Sequence, residues 1–175
     1  NLKSLNLREN NIGDKGAKAI VRALEGNETL KELDVSANAF GETGANALLP
    51  HAKIIGASLG WKGVNSEEWN LSGKKLSDND MLLIEPLLRT MPNLKRLYLS
   101  SNNIGDEGCR TIAPALRTMP NLKELNLYNN NIGDEGCRTI APALRTMPNL
   151  KELNLYNNNI GDEGCRTIAP ALRTM

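Results

Sequence analysis

A unit of 28 residues recurs along this chain of 175 residues. Residues 121–147 return as residues 149–175 without a change, and residues 93–120 differ from residues 121–148 at only four positions. A unit this short cannot enclose its own apolar side chains, so each copy must cover the apolar face of its neighbour. The repetition therefore predicts a stack of similar units with one continuous core.

The first buried position of each predicted strand sets the number of units. These positions are Leu5, Leu33, Trp69, Leu97, Leu125 and Leu153. Their spacing is 28 residues everywhere except between Leu33 and Trp69, where it is 36. We therefore predict a single domain over residues 1–175 with six repeats, and an insertion of eight residues at about 53–65, between the second and third repeats.

Each unit is predicted to form a short strand followed by a helix. Polar and apolar residues alternate from Glu124 to Tyr128, which is the period of a strand with one buried face. Leu125 and Leu127 point inward in this interpretation. Asp134 follows as the predicted N-cap of the helix. A proline recurs within five of the six units, for example Pro142, and we expect a bent or 3₁₀ segment there.

Several motifs together carry a resemblance to a known family. Each unit has most of the strand pattern L-x-x-L-x-L-x-x-N and a predicted helix, four units have the turn I-G-D-x-G, and five units carry the asparagine. These asparagines are Asn10, Asn38, Asn102, Asn130 and Asn158, whereas the third unit has Lys74. The motifs resemble the ribonuclease-inhibitor type of leucine-rich repeat. This resemblance implies an α/β solenoid shaped as a horseshoe, with a parallel concave sheet and convex helices.

The asparagine that recurs in five of the repeats is interpreted as structural. In a packed loop, buried backbone N–H and C=O groups need partners, and an asparagine side chain can supply both a donor and an acceptor. We therefore expect the repeated asparagines to bind backbone groups of their own and adjoining turns rather than an external ligand.

The four positions at which the fourth repeat departs from the fifth share one face. Arg96, Tyr98 and Ser100 alternate with buried leucines and so are predicted to point to the concave face, and Ser101 follows at its rim. Exposed helix positions are unchanged, so exposure alone does not account for the pattern. We interpret it as a constant scaffold with a variable recognition surface; drift after a recent duplication is the alternative.

The predicted concave face carries all three tyrosines and an excess of acidic residues. Tyrosine is common at binding hot spots because its large ring loses little conformational entropy when it is held. The charged residues are Arg8, Glu9, Glu32, Asp34, Glu68, Arg96, Glu124 and Glu152, with a net charge of 4 negative. A protein partner with a basic, partly apolar surface would suit this face. The predicted partner-binding residues are Arg8, Asp34, Glu68, Asn70, Arg96, Tyr98, Glu124, Asn126, Tyr128, Glu152, Asn154 and Tyr156.

The overall charge and the cysteines limit the class of protein. A net charge of +1 gives no reason to expect binding to nucleic acid or to a membrane surface. No apolar run approaches the roughly 20 residues that a membrane span needs. Cys109, Cys137 and Cys165 recur at 28-residue spacing, and stacked helices would hold them too far apart for disulfides. Free thiols favour a cytoplasmic location.

The motifs of catalysis, cofactor binding and metal binding are not found. His51 is the only histidine, and no cysteine or carboxylate stands at ligand spacing from it. The glycines around Trp61 do not match a phosphate-binding loop. We therefore predict a non-catalytic protein–protein recognition module with no catalytic residue, no cofactor and no metal.

The third repeat is irregular and contains both tryptophans. Trp69 takes the place of a strand leucine, so we expect it in the core. Trp61 lies in a glycine-bearing segment. Its ring either projects as an anchor for a partner or folds back to fill the gap left by the irregular repeat, and we favour the second interpretation.

Other functions and origins stay open at this point. The repeat is also similar to that of the GTPase-activating proteins of the Ran system, which would imply a regulatory role, but no activity-bearing residue carries over. A structural or assembly segment, or an engineered scaffold, is a third class. The identity of residues 121–147 with residues 149–175 fits either recent duplication or deliberate copying.

The two ends of the array are predicted to leave apolar residues uncovered. Terminal repeats usually need a polar outer face, because every inner repeat buries its apolar surface against the next. The residues concerned are Leu2, Leu5, Leu7, Ile168 and Leu172. We expect either that the chain is a fragment of a longer protein or that it associates end to end.

Overall fold

The chain, described by a computed structural model over residues 1–172, alternates three-residue strands with helices. The strands are β1 Ser4–Asn6, β2 Glu32–Asp34, β3 Glu68–Asn70, β4 Arg96–Tyr98, β5 Glu124–Asn126 and β6 Glu152–Asn154. The α-helices are α1 Asp14–Leu24, α2 Glu42–Leu48, α3 Ala52–Ser58, α4 Asp78–Arg89, α5 Asp106–Leu116, α6 Asp134–Leu144 and α7 Asp162–Leu172. A 3₁₀ turn, Leu49–His51, joins α2 to α3.

All of these strands pair in parallel, and within each sheet a strand pairs with the equivalent residues of the next repeat. Leu97 pairs with Leu125, and Leu125 pairs with Leu153. Side chains alternate across a strand, so this register aligns the inward leucines in one row and the outward residues in others. The result is the predicted α/β leucine-rich-repeat solenoid, with the sheet on one side and the helices on the other.

The sheet is interrupted between the second and third repeats. β1 pairs with β2, and β3 to β6 form a separate four-stranded sheet. The parallel sheet implied by the resemblance is therefore divided into two sheets. At the break, α3 lies against β2, and the Ser58 hydroxyl donates a hydrogen bond to the Leu33 carbonyl at 3.0 Å. The Trp69 indole N–H donates to the Leu59 carbonyl at 3.1 Å.

The core is continuous through the break. The inward residues Leu33, Trp69, Leu97 and Leu125 are at most 1% exposed, as the strand pattern predicted. Burying such a side chain fully stabilises the fold by about 1.5–3 kcal/mol, so each shared layer binds neighbouring repeats together. Leu5, Leu7, Leu153 and Ile168 are only partly buried, and Leu2 is 57% exposed. The side chain of Leu172 lies outside the described residues.

The asparagine column binds backbone groups, as expected. The Asn130 amide donates to the carbonyls of Leu99 and Leu127, and its carbonyl accepts from the Ile104 N–H. One side chain thereby joins two repeats. In the third repeat Lys74 cannot play this part, and Asn102 of the next repeat accepts from the backbone N–H groups of Lys74 and Leu76.

A buried carboxylate replaces a lost backbone contact at the break. In the uniform repeats, the turn residue Ser101 donates its N–H to the carbonyl of Tyr128 in the next repeat. The equivalent Ala37 instead donates to Asp80 Oδ1 at 2.9 Å. Asp80 is 2% exposed, and its other oxygen accepts from the N–H and hydroxyl of Ser77. Burial raises the pKa of Asp80, despite these hydrogen bonds.

The aspartate of the G-D-x-G turn does not cap its own helix, contrary to the prediction for Asp134. Gly133 is the N-cap, and Asp134 is the first helical residue. The carboxylate of Asp106 accepts from the N–H groups of Gly133 and Gly136 in the next repeat, at 2.7 and 2.8 Å. A Cβ on Gly136 would stand 2.6 Å from Asp106 Oδ1. The motif therefore caps helices between repeats, and the glycine leaves room for the carboxylate.

The recurrent proline has a smaller effect than predicted. A 3₁₀ turn is present at Pro50. At Pro86, Pro114 and Pro142 the α-helix continues through the proline.

Candidate protein-recognition surface

Three rows of outward side chains form the concave face. Two rows come from strand residues, and the third comes from residues just beyond the strands. The first row is Ser4, Glu32, Glu68, Arg96, Glu124 and Glu152; the second is Asn6, Asp34, Asn70, Tyr98, Asn126 and Asn154; the third is Arg8, Ser36, Ser72, Ser100, Tyr128 and Tyr156. All twelve residues predicted to bind a partner lie in these rows. The break between β2 and β3 divides the face into two parts.

Two tyrosines stack at the edge of the longer sheet. The ring centroids of Tyr128 and Tyr156 are 5.5 Å apart, with 11° between the ring planes. Tyr156 is 74% exposed, whereas Tyr128 is partly covered. The two side chains thus present a broad aromatic surface of fixed orientation to solvent. Such a surface offers apolar contact area and a ring face for a cation.

Tyr98 is held differently from the other two tyrosines. Its hydroxyl donates to Glu124 Oε2 at 2.8 Å, across to the next repeat. Burial, together with the hydrogen bond to this carboxylate, raises the pKa of Tyr98. Tyr98 therefore keeps its hydroxyl protonated, and its partly buried side chain orients Glu124.

Ion pairs join several charges of the face, and one additional lysine, Lys75, reduces its net negative charge. Arg96 Nε lies 2.8 Å from Glu68 Oε2, and Arg8 Nε lies 3.3 Å from Glu9 Oε1. Lys75 Nζ lies 2.7 Å from Glu9, and this hydrogen bond lowers the pKa of Glu9. Lys75 had not been assigned to the face, because its turn follows the irregular strand.

Glu124 and Glu152 keep an uncompensated pair of charges. They are register partners on β5 and β6, and within residues 1–172 neither forms an ion pair. Like charges directly opposite each other on neighbouring strands are destabilising. Two neighbouring carboxylates of this face are therefore without an ion-pair partner of their own.

The asparagines of the second row are partly structural. The side-chain carbonyls of Asn126 and Asn154 accept from the backbone N–H groups of Tyr128 and Tyr156, each at 3.0 Å. Asn70 makes the same bond to Ser72. These bonds fix the turns that carry the third row. They leave the amide NH₂ groups as the available donors toward a partner.

Each of the four residues specific to the fourth repeat contacts a neighbouring repeat. Arg96 pairs with Glu68, and the Ser100 hydroxyl donates to the Ser72 hydroxyl at 2.8 Å. Tyr98 bonds Glu124, as described above, and Ser101 adopts φ 55° and donates its N–H to the Tyr128 carbonyl. Arg96 and Ser100 contact the irregular third repeat, so fitting the uniform array onto that repeat is a further explanation for these two substitutions. Glu68 and Ser72 stand one repeat before Arg96 and Ser100 in the sequence, and this spacing could have predicted the two contacts.

The remaining chemistry is sparse. Within residues 1–172, no group of three or more histidine, cysteine, aspartate or glutamate residues is arranged to hold a metal ion. The three cysteines are free thiols, as the spacing predicted. Cys109 and Cys137 are buried, and burial raises the pKa of Cys137 to about 11. In the part of the chain that the structure describes, no helix has both the length and the apolar character of a membrane span.

Comparisons with known proteins agree on the fold. A model of paired leucine-rich repeats matches residues 92–136 and 120–164, and a leucine-rich-repeat model matches residues 1–21 and 26–49. No curated protein matches the sequence significantly.

Two of the solved structures that match the chain are leucine-rich-repeat neighbours. The structure of leiomodin-1 actin-binding site 2 matches at 22% identity with a TM-score of 0.54. This match covers 62% of the present chain and 64% of the leiomodin chain, which is less than two thirds of it. The tropomodulin C-terminal domain of Caenorhabditis elegans matches at 13% identity, with a TM-score of 0.44, over 99% of this chain and 84% of that one. At these identities the likeness concerns the fold. The repeat motifs, the parallel register and the family models together show that the chain belongs to the leucine-rich repeat proteins.

Proposed function

We propose that this chain is a non-catalytic module that binds a protein partner on its concave face, as a single domain of six repeats of the ribonuclease-inhibitor type. The observation that carries the proposal is the exposed stack of Tyr128 and Tyr156, on the same two repeats as the acidic pair Glu124 and Glu152. Buried thiols fit a reducing compartment such as the cytoplasm.

The expected partner surface is basic and partly apolar. An arginine or lysine side chain could lie over the ring of Tyr156 while its charge meets Glu152, which combines cation–π attraction with relief of the acidic pair. Because Tyr156 is 74% exposed, covering its ring would also remove apolar surface from water. We expect the tyrosines to dominate the affinity and the surrounding charges to set orientation and association rate.

A differential capture experiment tests the proposal. The chain is immobilised as wild type, as the double variant Tyr128→Ala/Tyr156→Ala, and as the convex-face control Arg110→Ala/Arg138→Ala, and bound proteins are quantified by mass spectrometry. Proteins held by wild type and control but lost by the tyrosine variant support concave recognition. Retention by the tyrosine variant together with loss by the control would contradict it. Thermal denaturation confirms that each variant is folded.

Two defined assays distinguish narrower versions of the proposal. The leiomodin structure of similar fold is described as an actin-binding site, which makes purified actin a useful first probe. Similarity of fold alone does not make actin the partner. The regulatory alternative predicts faster GTP hydrolysis by a small GTPase when the chain is added, whereas a simple binding module leaves that rate unchanged.

A further inference from the structure

A second surface is built by the irregular segment of the chain. An open groove of about 950 Å³, which we call the insertion groove, is lined by residues 27–28, 30–31, 53–54, 57 and 61–64. Its residues precede β2, belong to α3, or lie in the loop before β3, so none belongs to the three concave rows. A volume of this size is typical of pockets that hold several side chains or a small ligand.

The groove has an apolar lining. Leu30, Ile54, Ala57, Trp61 and Val64 contribute to it, and Val64 is 49% exposed. Leu30 is buried, and Ile54, Ala57 and Trp61 are partly exposed. Apolar side chains gathered in one open concavity are typical of binding sites in soluble proteins.

Trp61 is fixed at this position by close packing, as the interpretation of a ring that folds back expected. The backbone N–H of Trp61 donates to the Gly56 carbonyl at 2.7 Å, and a Cβ on Gly56 would stand 3.1 Å from the Trp61 Cβ. The indole N–H is shielded from solvent and, within the described residues, has no hydrogen-bond partner. An unsatisfied buried donor is uncommon and costs about 1–3 kcal/mol.

The charges around the groove have the opposite sign to those of the concave face. Lys31, Lys53 and Lys62 line it together with one acid, Glu28. Within residues 1–172 none of these lysines forms an ion pair; Lys31 donates to the backbone carbonyl of Glu28 at 2.8 Å. Three uncompensated cations beside an apolar lining complement an occupant that is both acidic and apolar.

We propose that the insertion groove binds a short acidic peptide segment of a partner protein. A large apolar side chain of the peptide contacts Trp61 and Val64, and its carboxylates lie beside Lys53 and Lys62. This docking is independent of the concave face, because the two surfaces have different residues and opposite charge.

Selection from a peptide library provides the probe. Displayed random peptides of about ten residues, a length typical of groove-binding segments, are selected on the folded chain. We expect the enriched peptides to carry net negative charge and at least one large apolar residue. Enrichment of neutral or basic peptides, or no enrichment, would overturn the proposal.

Charge reversal then places the binding in the groove. For a synthetic enriched peptide, Lys53→Glu/Lys62→Glu should weaken affinity by about tenfold or more, because two attractive contacts become repulsive. The matched control Lys15→Glu/Lys18→Glu makes the same change of charge on exposed positions of α1 and should leave affinity nearly unchanged. Equal losses in the two variants would show attraction by overall charge alone and contradict the proposal.

Trp61 supplies an independent readout. Trp69 is 1% exposed, so quenching or a spectral shift of tryptophan fluorescence on peptide addition should come from Trp61 and should disappear in Trp61→Phe. Binding to vesicles containing phosphatidylserine, without binding to the acidic peptides, would instead overturn the peptide assignment.

Discussion

The N–H groups of the turns find different acceptors in the irregular second and third repeats and in the uniform fourth to sixth repeats. In the uniform part, each unpaired N–H of a turn meets a carbonyl or asparagine of the next repeat, as Ser101 meets Tyr128. At the break, the corresponding Ala37 N–H meets the buried carboxylate of Asp80. In this solenoid, a single buried side chain therefore replaces a backbone contact between repeats that the insertion removes.

We expect the largest loss of stability when the buried carboxylate of Asp80 is removed. Asp80→Ala would leave the Ala37 and Ser77 N–H groups without their acceptor in a buried site, and we expect a loss of about 3 kcal/mol in the free energy of unfolding. Urea denaturation followed by circular dichroism measures it. Asp80→Asn, which keeps one acceptor oxygen, should fall between wild type and Asp80→Ala. A loss below about 1 kcal/mol for Asp80→Ala would show that the carboxylate does not hold the break together.

Two equivalent glycines, Gly136 and Gly16, allow an inner repeat to be compared with the first repeat. A Cβ on Gly136 would stand 2.6 Å from Asp106 Oδ1, 2.8 Å from Ile132 Cγ2 and 3.4 Å from the Asp106 Cα. The equivalent Gly16 would contact only the Ile12 side chain, at 2.7 Å. We expect Gly136→Ala to cost about 2 kcal/mol through overpacking.

The matched variant Gly16→Ala should behave differently. The Ile12 side chain can move, and alanine is favoured over glycine within a helix by about 1 kcal/mol, so the net change should be small. Thermal and urea denaturation of both variants provide the measurement. Similar losses at the two positions would mean that the inter-repeat carboxylate is not what requires the glycine.

A smaller effect is expected from the capping carboxylate itself. Asp106 accepts two N–H groups of the next helix, so Asp106→Ala should cost about 1–2 kcal/mol. Asp162 occupies the same position in the sixth repeat and, within residues 1–172, makes no side-chain hydrogen bond. Asp162→Ala should therefore cost a few tenths of a kcal/mol, through the helix dipole alone. Denaturation midpoints that shift equally would contradict capping between repeats.

The candidate recognition surface was predictable to the extent that it follows from alternation along a strand. The predicted positions of Tyr128, Tyr156 and Glu152 depend only on side chains pointing to alternate faces; in the structure the two rings stack and Glu152 lies in register with Glu124. Their interactions were not predictable, because the Arg96–Glu68 pair, the Tyr98–Glu124 bond and the role of Lys75 depend on contacts between repeats. Whether the face binds a partner stays a prediction.

The repeat period, the inward leucines, the buried Trp69 and the free thiols follow from the amino-acid sequence, because local periodicity and spacing dictate them. The break in the sheet, the carboxylates that cap helices of the next repeat, and the insertion groove were decided by tertiary packing. Their physical cause is shared: each depends on how closely one repeat approaches the next, and that distance is set by the insertion and by the glycines rather than by any single repeat's pattern.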